Sequence, residues 1–290
     1  KSYKHYLIYG GKGYLGNYLC TILKKKDIKF TLGKFRADNY NDIENEISNN
    51  VYTHVIDFIG KTYGGNNNTE YSATKYLNNN LEINILGNLY THVNICLLCA
   101  KYNKHYTYIS TGCIYNNEIN DLFNNCNPFN ESDIPNYNNN SYATIKIYCE
   151  KILLNINKNM LILRVRLNLS EIPSNKNFIT KYVNFDKINT IPNSFTIIED
   201  LFPHIPKLLD KNETGILNFV NPGLISPYDI VKIYNEMSEN QKKIESKIIT
   251  DCSNCYLDTT KLLKLIPEIN SVNDIIHDVI KNYINNEKNI

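Results

Sequence analysis

Tryptophan is absent from these 290 residues, methionine occurs twice, and no stretch approaches the roughly 18 uninterrupted apolar residues of a membrane span. Net charge is nearly absent as well. With 31 basic against 29 acidic residues and no long run of either sign, the chain offers neither a nucleic-acid footprint nor a membrane-binding patch. The opening residues, KSYKHYLIYGG, lack the apolar region and small-residue cleavage site of a secretory signal. A soluble, cytoplasmic protein without nucleic-acid or membrane partners is expected, although a chain beginning at Lys1 leaves open a leader removed earlier. No internal repeat is present. Tyr outnumbers Phe by 23 to 10 and Asn makes up about one residue in six, which reads as AT-biased coding. Asn-rich stretches therefore need not be disordered.

A metal knuckle is also missing. The C-x-x-C pairs Cys96/Cys99 and Cys252/Cys255 lie much farther apart than the roughly 15–20 residues that separate the halves of a four-thiolate zinc site. Cys96 and Cys99 sit in VNICLLCA, where an i, i+3 pair shares one apolar helix face. These pairs are read as reduced, structural thiols, and no metal is expected. Cys20, Cys126 and Cys149 carry no further signal.

What is present is an alternation of strands and helices. HYLIY leads through GGKGYLG into a periodic apolar segment; IKFTLG, THVIDFIG, HYTYISTG and MLILRVRLNL read as further strands. NDIENEISNN, LEINILGNLYTHVNICLLCAKYN and SYATIKIYCEKILLNIN read as helices, the second of them long and amphipathic and preceded by an Asn/Gly loop. Apolar strands alternating with helices predict an α/β fold, a Rossmann-type doubly wound parallel sheet spanning residues 1–165. Beyond residue 165 the rhythm changes. Phe178 to Phe185, IIEDLFPHIPKLLD, SPYDIVKIYNEMSEN and SVNDIIHDVIKNYINN read as helices, the second broken by prolines and the third capped by Ser226 with Pro227 first. Residues 166–290 are expected to form mainly a smaller α+β substrate lobe, part of it able to return to the sheet.

Gly10, Gly13 and Gly16, with Tyr14 and Leu15 between them, form a glycine loop after the first strand. Such a loop lets the backbone approach a pyrophosphate held at a helix N-terminus. At the end of strand 2, where an NAD site offers a carboxylate to the ribose, the sequence has Lys34 and Arg36. Two cations there favour NADPH over NADH, against a second reading as solvated loop charges. Thr111 ends a strand, and Tyr142 and Lys146 stand at i and i+4 on the next helix. The ammonium can lower the phenol pKa from about 10, making Tyr142 a proton donor to a carbonyl that Thr111 polarises.

With these residues in order, the chain resembles an extended short-chain dehydrogenase/reductase of the nucleotide-sugar group. YGGKGYLG, STGCIY, SYATIK, LRVR, NFITK, IPNS, TGILNFVNPG and YLDTTKL look like the bifunctional UDP-4-keto-6-deoxyglucose 3,5-epimerase/4-reductases of UDP-L-rhamnose synthesis. Those enzymes occur in plants and large DNA viruses, which would place a viral copy in the host cytoplasm. They are related to dTDP-4-dehydrorhamnose reductase and GDP-L-fucose synthase. The resemblance implies a nucleotide-sugar substrate, Cys113 as epimerase base and Lys181 as its acid, two groups that must flank the sugar ring. It also implies Asn84 as support for a proton relay, with Asn177, Arg166, Asn193 and Ser194 as substrate contacts. For each of those four, packing or capping is the other reading. A homodimer through Leu81 to Ala100 and Tyr142 to Asn155 is implied too. Departures are Asp57 where plant relatives have Asn, and Asp251-Cys252 where relatives have Pro-Arg, which opens the nucleotide choice among UDP, dTDP and GDP. Two rivals stand beside the bifunctional reading: a 4-reductase alone, which needs neither Cys113 nor Lys181, and a nucleotide-binding regulatory subunit without turnover.

Overall fold

The computed structural model describes residues 4–62, 73–124, 127–239 and 241–289; most of the Asn/Gly loop and Cys126 lie outside them. Among the described residues ten strands run in chain order: β1 (Tyr6–Tyr9), β2 (Phe30–Leu32), β3 (His54–Asp57), β4 (His105–Thr111), β5 (Met160–Val165), β6 (Asn168–Leu169), β7 (Lys187–Asn189), β8 (Thr196–Ile197), β9 (Gly215–Asn218) and β10 (Glu245–Lys247). Six of them form one sheet in the order β2-β1-β3-β4-β5-β9. The pairs β1/β2, β1/β3 and β3/β4 run parallel, with Ile8 beside both Leu32 and Ile56, and Asp57 beside both Tyr9 and Tyr108. The α/β, doubly wound class expected from the alternation is the class observed. β1, β3, β4 and β5 are buried along their whole length, as strands covered on both faces must be.

The chain divides into two units. One unit comprises residues 1–114, 137–163 and 205–217; the other comprises 115–136, 164–204 and 218–290. In the first, Leu7, Val55, Tyr106 and Ile162 of the sheet pack with Ile95, Cys96, Cys99 and Leu153 of helices. Cys96 and Cys99 are thus core thiols without solvent exposure. In the second, Phe178, Ile179, Ile197, Ile230, Ile276 and Tyr283 share a separate core, with the small sheets β7/β10 and β6/β8. Ser226 caps Pro227–Met237 by accepting from Asp229 N at 3.0 Å, and the prolines of IIEDLFPHIPKLLD divide it into Ile198–Leu201, Phe202–His204 and Ile205–Asp210.

The long helix departs from regularity. Leu81–Ile85 and Thr91–Lys101 are α-helical, but Leu86–Tyr90 between them is a π-turn. Its cause is Asn88, whose side chain bonds both the N–H (3.0 Å) and the C=O (2.8 Å) of Lys61. Widening one turn brings that amide to the loop after β3. Among the described residues this helix, Leu81–Lys101, is long and apolar enough by length and composition to cross a membrane, yet half of its apolar window is buried inside the fold. Glu82, Asn84, Asn88 and Asn94 break its apolar run.

Candidate active site

Strand order reverses between β1 and β3, and the loops leaving those two strands meet there. Gly10 adopts φ +69°, and a Cβ on it would stand 2.7 Å from the Phe58 carbonyl carbon. Gly13 N donates to Gly10 O at 2.9 Å, closing the turn into Tyr14–Lys25. Gly16 lies so close beneath that a Cβ would come within 2.4 Å of Gly10 O. The helix opens on Gly13 with no side-chain cap and no acidic residue in its first turn. Its leading N–H groups are thus left without a side-chain cap, as an anion site needs, with Tyr14 and Leu15 half-exposed beside them. This geometry fits the pyrophosphate of a dinucleotide.

At the end of β2 the two cations differ. Arg36 is forked onto Asp38 by bonds of 2.8–3.2 Å at an exposed position. Lys34 is exposed, and its N–H donates to Glu46 at 2.9 Å. Glu46 also accepts the Tyr9 hydroxyl at 2.7 Å. The carboxylate missing from the strand is thus supplied by the Tyr40–Ile47 helix, but both of its oxygens are engaged. Lys34 is the cation better placed for a 2′-phosphate.

Thr111 closes β4, and Tyr142 and Lys146 stand on Ser141–Ile156, which Asn140 caps by accepting from Ala143 N at 2.8 Å. Cys113 N donates to Thr111 Oγ1 at 3.0 Å. Burial raises the Tyr142 phenol pKa well above its ordinary value, Cys113 adds to the rise, and a hydrogen bond with Thr111 opposes it. Lys146 is 3% exposed, and its ammonium donates to the Tyr108 hydroxyl. Burial pulls the Lys146 pKa below its usual value, opposed by Cys149, Glu150, Asp57 and Cys113. Cys113, half-exposed and not in a disulfide, lies close enough to act electrostatically on both Tyr142 and Lys146. Asn84, fully buried, donates to Ser141 Oγ at 3.0 Å and accepts from Asn88 at 2.9 Å, tying the helix bearing Tyr142 to the π-turn.

The remaining candidates belong to the second unit. Lys181 stands on Phe178–Tyr182, and burial lowers its pKa from the usual lysine value. The four residues read as substrate contacts, with packing or capping as the other reading, are all buried and have internal partners. Asn177 caps the Lys181 helix and donates to Ser170 O and Ile172 O. Arg166 donates to Asn193 Oδ1 at 2.6 Å and Ser253 O at 2.7 Å. Asn193 accepts from Cys255 N, and Ser194 from Leu257 N. The sequence reading missed Tyr108, His92 and Glu150 around Lys146. An Asp in the apolar strand VIDFIG was the available signal, since a buried carboxylate demands buried partners.

The glycine loop at the reversal of strand order, together with Thr111, Tyr142 and Lys146 on adjoining elements, defines a dinucleotide-dependent α/β enzyme. The chain belongs to the NAD dependent epimerase/dehydratase family, which matches residues 6–185. It is 31% identical over 285 residues to the uncharacterized protein L780 of Acanthamoeba polyphaga mimivirus, covering 95% of this chain and 97% of that one. The crystal structure of the L780 UDP-rhamnose synthase superposes with a TM-score of 0.87 at 29% identity, covering 97% of this chain and all of that one. A bifunctional dTDP-4-dehydrorhamnose 3,5-epimerase/dTDP-4-dehydrorhamnose reductase of Arabidopsis thaliana is 31% identical over 93% of this chain and 90% of its own. A dTDP-4-dehydrorhamnose reductase of Bacillus anthracis, solved with NADP, shares the fold at a TM-score of 0.77, with 15% identity over 97% of this chain and 99% of its own.

Proposed function

We propose that this enzyme converts UDP-4-keto-6-deoxy-D-glucose to UDP-L-rhamnose by epimerisation at C3 and C5 and reduction at C4, with NADPH as cofactor. The observation that carries the reading is Cys113, a thiol bonded through its N–H to Thr111 and acting on Tyr142 and Lys146. A reductase working alone has no use for a thiol there. Full-length similarity to a UDP-rhamnose synthase and to a bifunctional epimerase/reductase supports the same reading.

In this scheme Cys113 removes the proton from a carbon beside the C4 carbonyl and Lys181 returns one to the opposite face, inverting that carbon. Thr111 and Tyr142 hold the charge that gathers on the C4 oxygen between the two steps. NADPH, when bound, supplies a hydride to C4; Gly10, Gly13, Gly16 and the Tyr14–Leu15 N–H groups would hold its pyrophosphate, Lys34 its 2′-phosphate and Lys146 its ribose. Tyr142 then delivers a proton to the C4 oxygen, and its raised pKa keeps that proton in place at neutral pH. The protein acts as a homodimer through the outward faces of Leu81–Lys101 and Ser141–Ile156, where Ile83, Leu86, Tyr90, Leu97, Tyr148 and Ile152 are exposed.

The test is turnover of UDP-4-keto-6-deoxy-D-glucose in deuterated water with NADPH or NADH. Deuterium is expected at C3 and C5 of the reduced product, with NADPH preferred. Reduced product without deuterium at either carbon would remove the epimerase half. Cys113→Ala should lose isotope exchange while still binding NADPH, whereas Tyr142→Phe should lose reduction chiefly.

A further inference from the structure

The Tyr142–Lys146 spacing leaves unexplained what holds the lysine. Tyr106 and Tyr108, two residues apart on β4, present their rings to the same face of the sheet. Tyr108 receives the Lys146 ammonium at its hydroxyl, and the same nitrogen stands 4.4 Å from the centre of its ring. Tyr108 also packs on the His92 ring at 4.6 Å between centroids. His92 Nδ1 meets Asp57 Oδ2 at 2.7 Å, with both side chains fully buried. Asp57 also accepts from the Tyr106 hydroxyl at 2.8 Å and from Ile59 N at 2.8 Å. A carboxylate fixed by three donors cannot drift, and the imidazole it fixes forms the wall behind Tyr108.

We propose that Tyr108 is the positioning residue of this site: its hydroxyl sets the place and the protonation of the Lys146 ammonium, and the buried Asp57–His92 pair holds Tyr108 in register. The proposal rests on the reading that Lys146 serves a bound dinucleotide. The titratable groups facing Lys146 are Tyr108 from β4, Cys113 beyond it, Asp57 from β3, and Cys149 and Glu150 on its own helix. Of these, Tyr108 is the hydrogen-bond acceptor, and a hydrogen bond to a charged donor moves a titration by about one unit or more.

Tyr108→Phe keeps the ring and removes only the oxygen. Two measurements follow its consequence: the 13C titration of the Lys146 ε-carbon, assigned with Lys146→Arg, and NADPH affinity by nucleotide fluorescence from pH 7 to 10. The titration midpoint is expected to fall by about one pH unit, and the alkaline loss of NADPH affinity to move down with it, while the melting temperature stays within a few degrees. An unchanged midpoint overturns the proposal. Should wild type bind no NADPH at any pH, the dinucleotide reading falls while the carbon titration still decides the role of Tyr108. If Tyr108→Phe does not fold, Asp57→Asn must move the same midpoint downward, and no movement there is equally fatal.

Discussion

Acid should weaken the first unit through a histidine far in sequence from the catalytic residues. His54 begins β3 at 3% exposure, with its ring 4.8 Å from that of His105 and 5.5 Å from that of Tyr6. Burial first, and then the charges of His105 and Lys4, pull its pKa from 6.5 down to about 3. A histidine so depressed binds its proton in the unfolded chain before it does so in the folded one. Stability is therefore complete above about pH 6.5 and is lost as pH falls toward 3. Each unit within that window is worth about 1.36 kcal/mol, so His54 alone should cost about 2 kcal/mol at pH 5. His105, also lowered by burial, adds in the same direction. Urea unfolding at pH 7.5, 6 and 5 measures the slope, and the His54 ring-proton resonance shows whether the ring stays neutral. The variant His54→Gln should flatten the slope by most of one proton. Equal stability at pH 7.5 and 5, or an unaltered slope in the variant, would refute the reasoning.

Two further outcomes are expected. Gly16→Ala places a methyl against the Gly10 carbonyl, within 2.4 Å of backbone that has no rotamer to yield. NADPH affinity should drop at least about tenfold in calorimetric titration, with about 1–3 kcal/mol lost from stability through overpacking. Ile83→Glu with Leu97→Glu puts charge on the exposed apolar face of Leu81–Lys101. On the proposed dimer, light scattering should report a dimer for wild type and a monomer for this variant, with the fold unchanged by circular dichroism.

The glycine loop, the strand alternation and the Ser226 cap were legible because each depends on residues within a turn or two of one another. The partners of buried polar groups were not. Helical spacing puts Lys146 on the face of Tyr142 but does not show the acceptor of an ammonium at 3% exposure, which β4 contributes from 38 residues earlier. Nor does it show the partners of Arg166, an amide and a backbone carbonyl of Asn193 and Ser253. Composition obscured more. In a chain this rich in Asn, nothing marks Asn88, Asn193 or Asn254 as the ones whose amides join distant loops.

On the proposed reading one tyrosine serves two reactions, and the groups at the end of β4 bear on both. Cys113 N–H donates to the Thr111 oxygen, and Thr111 in turn hydrogen-bonds Tyr142 and draws its pKa down against burial. Burial makes ionising that phenol costly, so it releases its proton only to an oxygen that is itself becoming strongly basic. On the proposed reading the C4 oxygen is such a base twice, once as an enolate during inversion and once as an alkoxide during reduction. A phenol kept protonated by burial can donate in both steps, whereas an ionised one would repel the charge gathering on that oxygen.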